Sequence, residues 1–311
     1  MKAKKYLLWI GLGLFDLLVL AYLGAGWYFS ESIISFPRPP AEGSRPKASS
    51  VFRYDLPAPE EIQLQSAGVT LAGWYFDLPG DVCGAALFHG HGGDRSSMLR
   101  FSQLFQPYGC DLVMIDFRHH GASGGDANTF GAYERQDVLA ALEYLQQRTG
   151  LPDQQLALVG ISYGAAAILQ AAPQRPQLAF ILADSPYRSL PAIITVQAEQ
   201  RYGAAILPLA PGALAVSGLR AWFNPWDVSP EDSAAHIAAP VFLLHEAQDS
   251  YTPASHSQAI YDRIPHDRKA LYLVNWSGKH GGALGNNPRE YHTLLDAFIQ
   301  QYAPQFPAAA R

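Results

Sequence analysis

Leu156-Ala157-Leu158-Val159-Gly160-Ile161-Ser162-Tyr163-Gly164 decides how the rest of this chain is read. Apolar residues run into Gly-x-Ser-x-Gly, and small and apolar residues follow at helical spacing (Ala165, Ala166, Ala167, Ile168, Leu169). The order is that of a buried strand, a sharp turn and a helix. Such a turn is strained, so its flanks must lack bulk, which Gly160 and Gly164 supply. It would lift the Ser162 hydroxyl above the sheet edge at a helix N-terminus, where the backbone N–H of Tyr163 can help hold an oxyanion. A lone Gly-x-Ser-x-Gly is a weak signal, so the remaining parts must appear in the right order.

Outward from this stretch, strand and helix patterns alternate. Glu61–Gln65 and Val69–Tyr75 read as a strand pair joined by Ser66-Ala67-Gly68. Cys83–His89, Asp111–Phe117, Leu178–Ala183, Val241–His245 and Lys269–Val274 read as further strands. Met98, Phe101, Phe105 and Tyr108 fall on one helical face, as do Val138, Ala141, Leu142 and Leu145. Tyr291, Leu294, Leu295, Phe298 and Tyr302 line a closing helix. Near-continuous apolar strands alternating with helices predict an α/β fold, a mostly parallel sheet covered on both faces. Chemistry in such sheets sits beyond the carboxyl ends of the strands.

A serine hydroxyl needs a base to take its proton, and the base needs a group that orients it. After Ser162 the chain supplies Asp249, beyond the strand Val241–His245, and then His280, beyond the last strand. Ser, Asp, His is the order expected of a hydrolase built on such a sheet. Asp184 competes as the acid, but its place suits the start of an insertion. His292 competes as the base, but lies opposite the apolar stripe of the last helix.

The first 30 residues differ in kind. Lys2, Lys4 and Lys5 precede an apolar run from Tyr6 to Phe29 whose only charge is Asp16. The run is long enough to cross a bilayer core. It exceeds the ~7–15 apolar residues of a secretory signal, so an uncleaved anchor is preferred to a cleaved leader. The lysines predict a single-pass protein with a cytoplasmic N-terminus and an extracytoplasmic catalytic domain. From Phe36 to Pro59 the chain is rich in Pro, Ser and charge, and reads as an extended tether. The expected organisation is an anchor over 1–30, a tether over 31–60 and a catalytic domain over 61–311, interrupted by an insertion at about 186–239. That insertion is apolar, without a charge from Tyr202 to Leu219, and predicts a helical cap over a hydrophobic pocket. The 311 residues, 49% hydrophobic with net charge −5, carry no basic stripe, so no nucleic-acid partner is expected.

With these residues in hand the chain resembles the α/β-hydrolase superfamily. More narrowly, it is similar to the branch of serine hydrolases with one N-terminal membrane helix, which includes membrane-bound acyl-thioesterases and lipase-like proteins. The marks are Leu71-Ala72-Gly73-Trp74-Tyr75, His89-Gly90-His91, Asp116-Phe117-Arg118-His119-His120-Gly121-Ala122-Ser123-Gly124-Gly125, Gly160-Ile161-Ser162-Tyr163-Gly164, Asp184-Ser185-Pro186, Asp249 with Pro253, and His280. One departure is His245-Glu246, where the branch usually has His-Gly. The resemblance implies Ser162 as nucleophile, His280 as general base and acid, and Asp249 as the group orienting His280. It implies backbone N–H groups of His91 and Tyr163 as oxyanion donors, and His89 and His120 as loop braces, so no metal or cofactor is expected. The substrate would be a small or lipid-like acyl ester or thioester. A peptidase or amidase, or a non-catalytic binding protein of the same fold, is the alternative. The usual strand order of this fold would set Cys83 and Cys110 level at the starts of neighbouring strands, as a disulfide or as two buried thiols.

Overall fold

The computed structural model describes residues 2–35, 48–80 and 82–307. A 33-residue helix, α1 (Lys2–Ile34), precedes the antiparallel pair β1 (Glu60–Ser66) and β2 (Val69–Phe76). Then come β3 (Gly84–Phe88), α2 (Leu99–Ser102), β4 (Asp111–Ile115), α3 (Glu134–Thr149), β5 (Leu156–Ile161), α4 (Tyr163–Ala171) and β6 (Phe180–Asp184). The insertion holds α5 (Leu190–Tyr202), α6 (Ala210–Ala221) and α7 (Pro230–Ala234). β7 (Val241–Glu246), α8 (Ser255–Arg263), β8 (Lys269–Val274), α9 (Ala283–Asn286) and α10 (Pro288–Tyr302) complete the chain. The strands form one sheet in the order β1-β2-β4-β3-β5-β6-β7-β8. The two pairings of β2 are antiparallel and all others parallel. This is the α/β-hydrolase fold.

Alternate strand residues feed two apolar layers, as the period of two dictates. Ala86, Phe88, Val113 and Leu158 pack with Val138 and Leu142 of α3 and with α4. Ala85, Leu87, Leu112 and Val159 pack with Phe101, Phe105 and, from α10, Leu295 and Phe298. The parallel strands are therefore buried on both faces, which is why they read as unbroken apolar runs.

Three local expectations are corrected. The run from Met98 to Tyr108 is not one helix. It breaks into a 3-10 turn at Arg95–Met98, the four-residue α2 and a second 3-10 turn at Gln106–Tyr108, where Pro107 and the left-handed Gly109 stop propagation. The helix expected over 1–30 runs on to Ile34; Ile33 and Ile34 are buried in the core, and Asn128 N–H donates to the Ile34 carbonyl. Of the expected tether, residues 36–47 lie outside the described residues. The described part is not extended throughout: Ala48–Tyr54 is a 3-10 helix, and Val51 and Leu56 are buried beside Trp74 and Phe76. With Tyr54, which packs against the same cluster, they bind this stretch to the sheet.

Cys83 and Cys110 are disulfide-bonded, with Cα atoms 4.5 Å apart. Gly84 pairs with Asp111 in register, so the cysteines just before them are level. Of the two outcomes open from the sequence, the structure has the disulfide.

Candidate active site

Ser162 stands between the end of β5 and the start of α4 with φ +56° and ψ −114°. A non-glycine residue there costs about 1–3 kcal/mol, which the surroundings must impose. Ser162 N–H donates to the Asp184 carbonyl at 2.7 Å, and Ala166 N–H donates to the Ser162 carbonyl at 2.9 Å. Both flanking glycines are required by contact. A Cβ on Gly160 would lie 2.5 Å from the Gly164 carbonyl carbon, and one on Gly164 would lie 2.2 Å from the Phe88 carbonyl oxygen. These neighbours are backbone and cannot rotate away. Gly164→Ala is therefore expected to destabilise the protein by about 3 kcal/mol or more, an overpacking cost at the upper end of its usual range. A urea unfolding midpoint unchanged from wild type would refute this.

His280 Nε2 lies 2.7 Å from Ser162 Oγ, and His280 Nδ1 lies 2.6 Å from Asp249 Oδ2. With Nδ1–H donated to the carboxylate, Nε2 is the acceptor for the serine hydroxyl. Asp249 Oδ1 accepts the N–H groups of Tyr251 at 2.9 Å and Thr252 at 3.0 Å, which aims Oδ2 at the imidazole. Burial alone would raise the Asp249 pKa, but hydrogen bonds from His245 and His280, the His280 charge and the Thr252 N–H more than offset it. The carboxyl sits below the usual carboxylate range. The structure thus brings together Ser162, His280 and Asp249, each from a loop beyond a different strand.

The rivals lie elsewhere. Asp184 is buried, accepting from Ser185 Oγ at 2.8 Å and Tyr291 Oη at 3.2 Å. His292 is half-buried on α10. His89 and His120 are buried; the ring nitrogens of His89 face the Gly90 carbonyl at 2.7 Å and accept the Phe117 N–H at 3.0 Å. The Gly90 turn passes beside the serine, since a Cβ there would be 3.6 Å from Ser162 Cβ. The neighbouring His91 ring stacks on Phe130 at 5.3 Å and lies 5.6 Å from the Tyr163 ring.

The departure His245-Glu246 forms a layer behind the acid and the base, a role that the sequence did not assign. His245 Nε2 donates to the Thr252 carbonyl at 2.7 Å and lies 3.4 Å from Asp249 Oδ2, while its Nδ1 accepts from Ser257 Oγ at 2.6 Å. Glu246, wholly buried, accepts from the N–H groups of Trp276 (3.1 Å), Ser277 (2.9 Å) and Gly278 (3.2 Å) and from Ser277 Oγ (2.7 Å). It ties β7 to the loop that carries His280. The signal was present, as two polar residues closing an otherwise apolar strand. Glu246→Ala is expected to cut the rate of serine acylation by about 10–100-fold, the cost of a roughly 1 Å misplacement. Glu246→Gln, which keeps one acceptor oxygen, should lose less. Equal rates in both variants, measured by stopped-flow acylation, would refute the role.

Buried histidines also set an acid limit. Burial, helped by the Arg188 charge, lowers the His256 pKa to about 4, and its Nδ1 accepts the Arg188 N–H at 3.1 Å. Burial lowers His89 and His120 as well. An unfolded histidine titrates near 6.5, so between about 6.5 and 4 the unfolded state binds protons that the folded state does not. Stability therefore falls as pH drops through that window, by up to ~1.4 kcal/mol per pH unit for each group. His256→Asn, whose Oδ1 can accept the same N–H, should flatten the dependence between pH 6.5 and 4.5. An unaltered slope in urea titrations would refute this.

The family model described as the alpha/beta hydrolase family matches residues 86–310. The uncharacterized protein YqkD of Bacillus subtilis is 27% identical over 308 residues, covering 95% of this chain and 97% of that protein. Alpha/beta hydrolase domain-containing protein 17C of Xenopus tropicalis is 23% identical, covering 74% of this chain and 64% of that protein. Among solved structures, an esterase of Pyrococcus furiosus aligns with a TM-score of 0.69 at 19% identity, covering 87% of this chain and 98% of that one. A Pyrococcus horikoshii acylaminoacyl peptidase aligns with a TM-score of 0.61 at 19% identity, covering 85% of this chain and 44% of that one. At such identities the structural likeness speaks for the fold alone.

Proposed function

The chain belongs to the alpha/beta hydrolase family, and on that footing we propose that it is a membrane-anchored serine hydrolase of carboxylic esters or thioesters with hydrophobic acyl groups. The observation that carries this reading is His280, bonded through one ring nitrogen to Ser162 Oγ and through the other to Asp249. Ser162 Oγ attacks the acyl carbon as its proton passes to His280 Nε2. Asp249 holds the ring and balances its charge. The oxyanion is met by backbone N–H groups of Tyr163 and His91. Collapse expels the alcohol or thiol, which takes the proton from His280, and water then releases the acyl group by the same steps.

The apolar run of α1 after three lysines supports a single span with the N-terminus in the cytoplasm. The Cys83–Cys110 disulfide supports an extracytoplasmic catalytic domain. A peptidase or amidase is the second reading, since the same Ser-His-Asp arrangement can cleave an amide by the same acyl transfer.

The test is labelling of the full-length protein in detergent with a fluorophosphonate, followed by mass spectrometry. We expect an adduct on Ser162, and hydrolysis of p-nitrophenyl esters that rises with acyl length. No adduct on the folded protein would overturn the hydrolase reading, and faster cleavage of acylaminoacyl anilides than of esters would favour the peptidase.

A further inference from the structure

α1 does not stand clear of the cap. Tyr22 Oη donates to the Pro208 carbonyl at 3.3 Å, and the Tyr22 ring covers Gly212. A Cβ on Gly26 would lie 3.1 Å from the Gly212 oxygen and 3.3 Å from Val216 Cγ2, so the two helix backbones cross closely. Further along, Arg220 binds Ser30 Oγ at 2.7 Å and Glu31 at 2.5 Å, and lies 4.3 Å over the Trp27 ring. Residues 22, 26 and 30 thus meet residues 208–212, 212–216 and 220 in order, and α6 runs alongside α1 in the same direction.

That register sets depth. The apolar run of α1 ends at Phe29, and Tyr22 is about 10 Å earlier along the axis at 1.5 Å per residue. Counted from Lys5, about 30 Å of hydrocarbon ends near Gly26, so Tyr22 lies inside it. Whatever touches Tyr22 is then inside it too. The cap meets that demand: the 3-10 helix Ala204–Leu209 and α6 after it are apolar and carry no charge before Arg220. Leu219, Trp222 and Trp226 are 76%, 84% and 51% exposed, beside the Arg220 level where interfacial tryptophans belong.

Between α1 and the cap lies a cavity of about 120 Å³, walled by Phe29, Ile33, Ile194, Ile206, Leu209 and Gln197. It has roughly ten times the space one water needs, in a mostly apolar lining. Gln197 lies beside Tyr251, whose ring lies 4.9 Å from that of His280. The inner wall is therefore two side chains from the proposed base.

We infer that the cap segment Ala204–Ala221 is immersed beside α1 in the membrane leaflet nearest the catalytic domain, and that the cavity between them takes the acyl chain of a bilayer lipid. This rests on the anchored-hydrolase reading. It makes α1 a wall of the substrate site, and makes the bilayer the route of entry.

The test uses the full-length protein in vesicles of palmitoyl-oleoyl phosphatidylcholine doped with a phosphatidylcholine carrying a diazirine on one acyl chain. Irradiation is followed by peptide mapping. We expect adducts within 204–221 at a yield comparable to that over Val19–Gly26, further adducts at the cavity wall, and none in α3 or α10. Adducts confined to α1 would overturn the inference and leave the anchor standing. No adducts in α1 would overturn both. Fluorophosphonate labelling of the same vesicles reports separately on the hydrolase reading.

Discussion

Ser162→Ala is expected to lower ester hydrolysis by ~10⁶-fold and to abolish fluorophosphonate labelling, with little change in stability. The geometry separates the two effects. The hydroxyl is hydrogen-bonded to His280 Nε2. The backbone at φ +56° is held by N–H and carbonyl bonds that alanine retains. A change in unfolding free energy within about 0.5 kcal/mol beside lost turnover would assign the loss to chemistry. Hydrolysis persisting at more than a hundredth of the wild-type rate would mean that another group is the nucleophile.

Asp249→Asn is expected to cost about 10⁴-fold in kcat. In the native site Oδ1 is committed to the Tyr251 and Thr252 N–H groups and Oδ2 to His280 Nδ1. Asparagine would keep its oxygen on the two N–H groups and turn its amide toward the imidazole. His280 Nδ1 would become an acceptor, the proton would move to Nε2, and that nitrogen could no longer take one from Ser162. The amide would also face the His245 Nε2–H, a donor against a donor. Steady-state kinetics beside urea unfolding decide it. A loss under tenfold with unchanged stability would move the orienting role away from Asp249.

The legible part of the molecule was local or ordered along the chain. Gly160 and Gly164 announced the turn, since only residues without a Cβ fit where β5, β3 and α4 approach. The strands announced themselves because burial on both faces leaves them wholly apolar. Asp249 and His280 could be named because parallel strands deliver successive loops to one edge of the sheet. The run Met98–Tyr108 was misjudged because helical spacing says which side chains turn inward, not whether Pro107 and Gly109 let the backbone continue. Val51 and Leu56 were missed because the few apolar residues of a Pro- and Ser-rich stretch carry no period.

By itself, then, the sequence determined the sheet, the turn that raises Ser162, and the order in which acid and base follow, since all three rest on the period of a strand, the absence of a Cβ and the sequence of loops. Only the tertiary structure decided that Glu246 holds the His280 loop, that Cys83 meets Cys110, and that α1 lies along the cap with Arg220 clasping Ser30. Those contacts join residues 27 to 190 positions apart. No local propensity encodes them. They follow from which surfaces remain to be covered once the sheet has closed its two apolar layers.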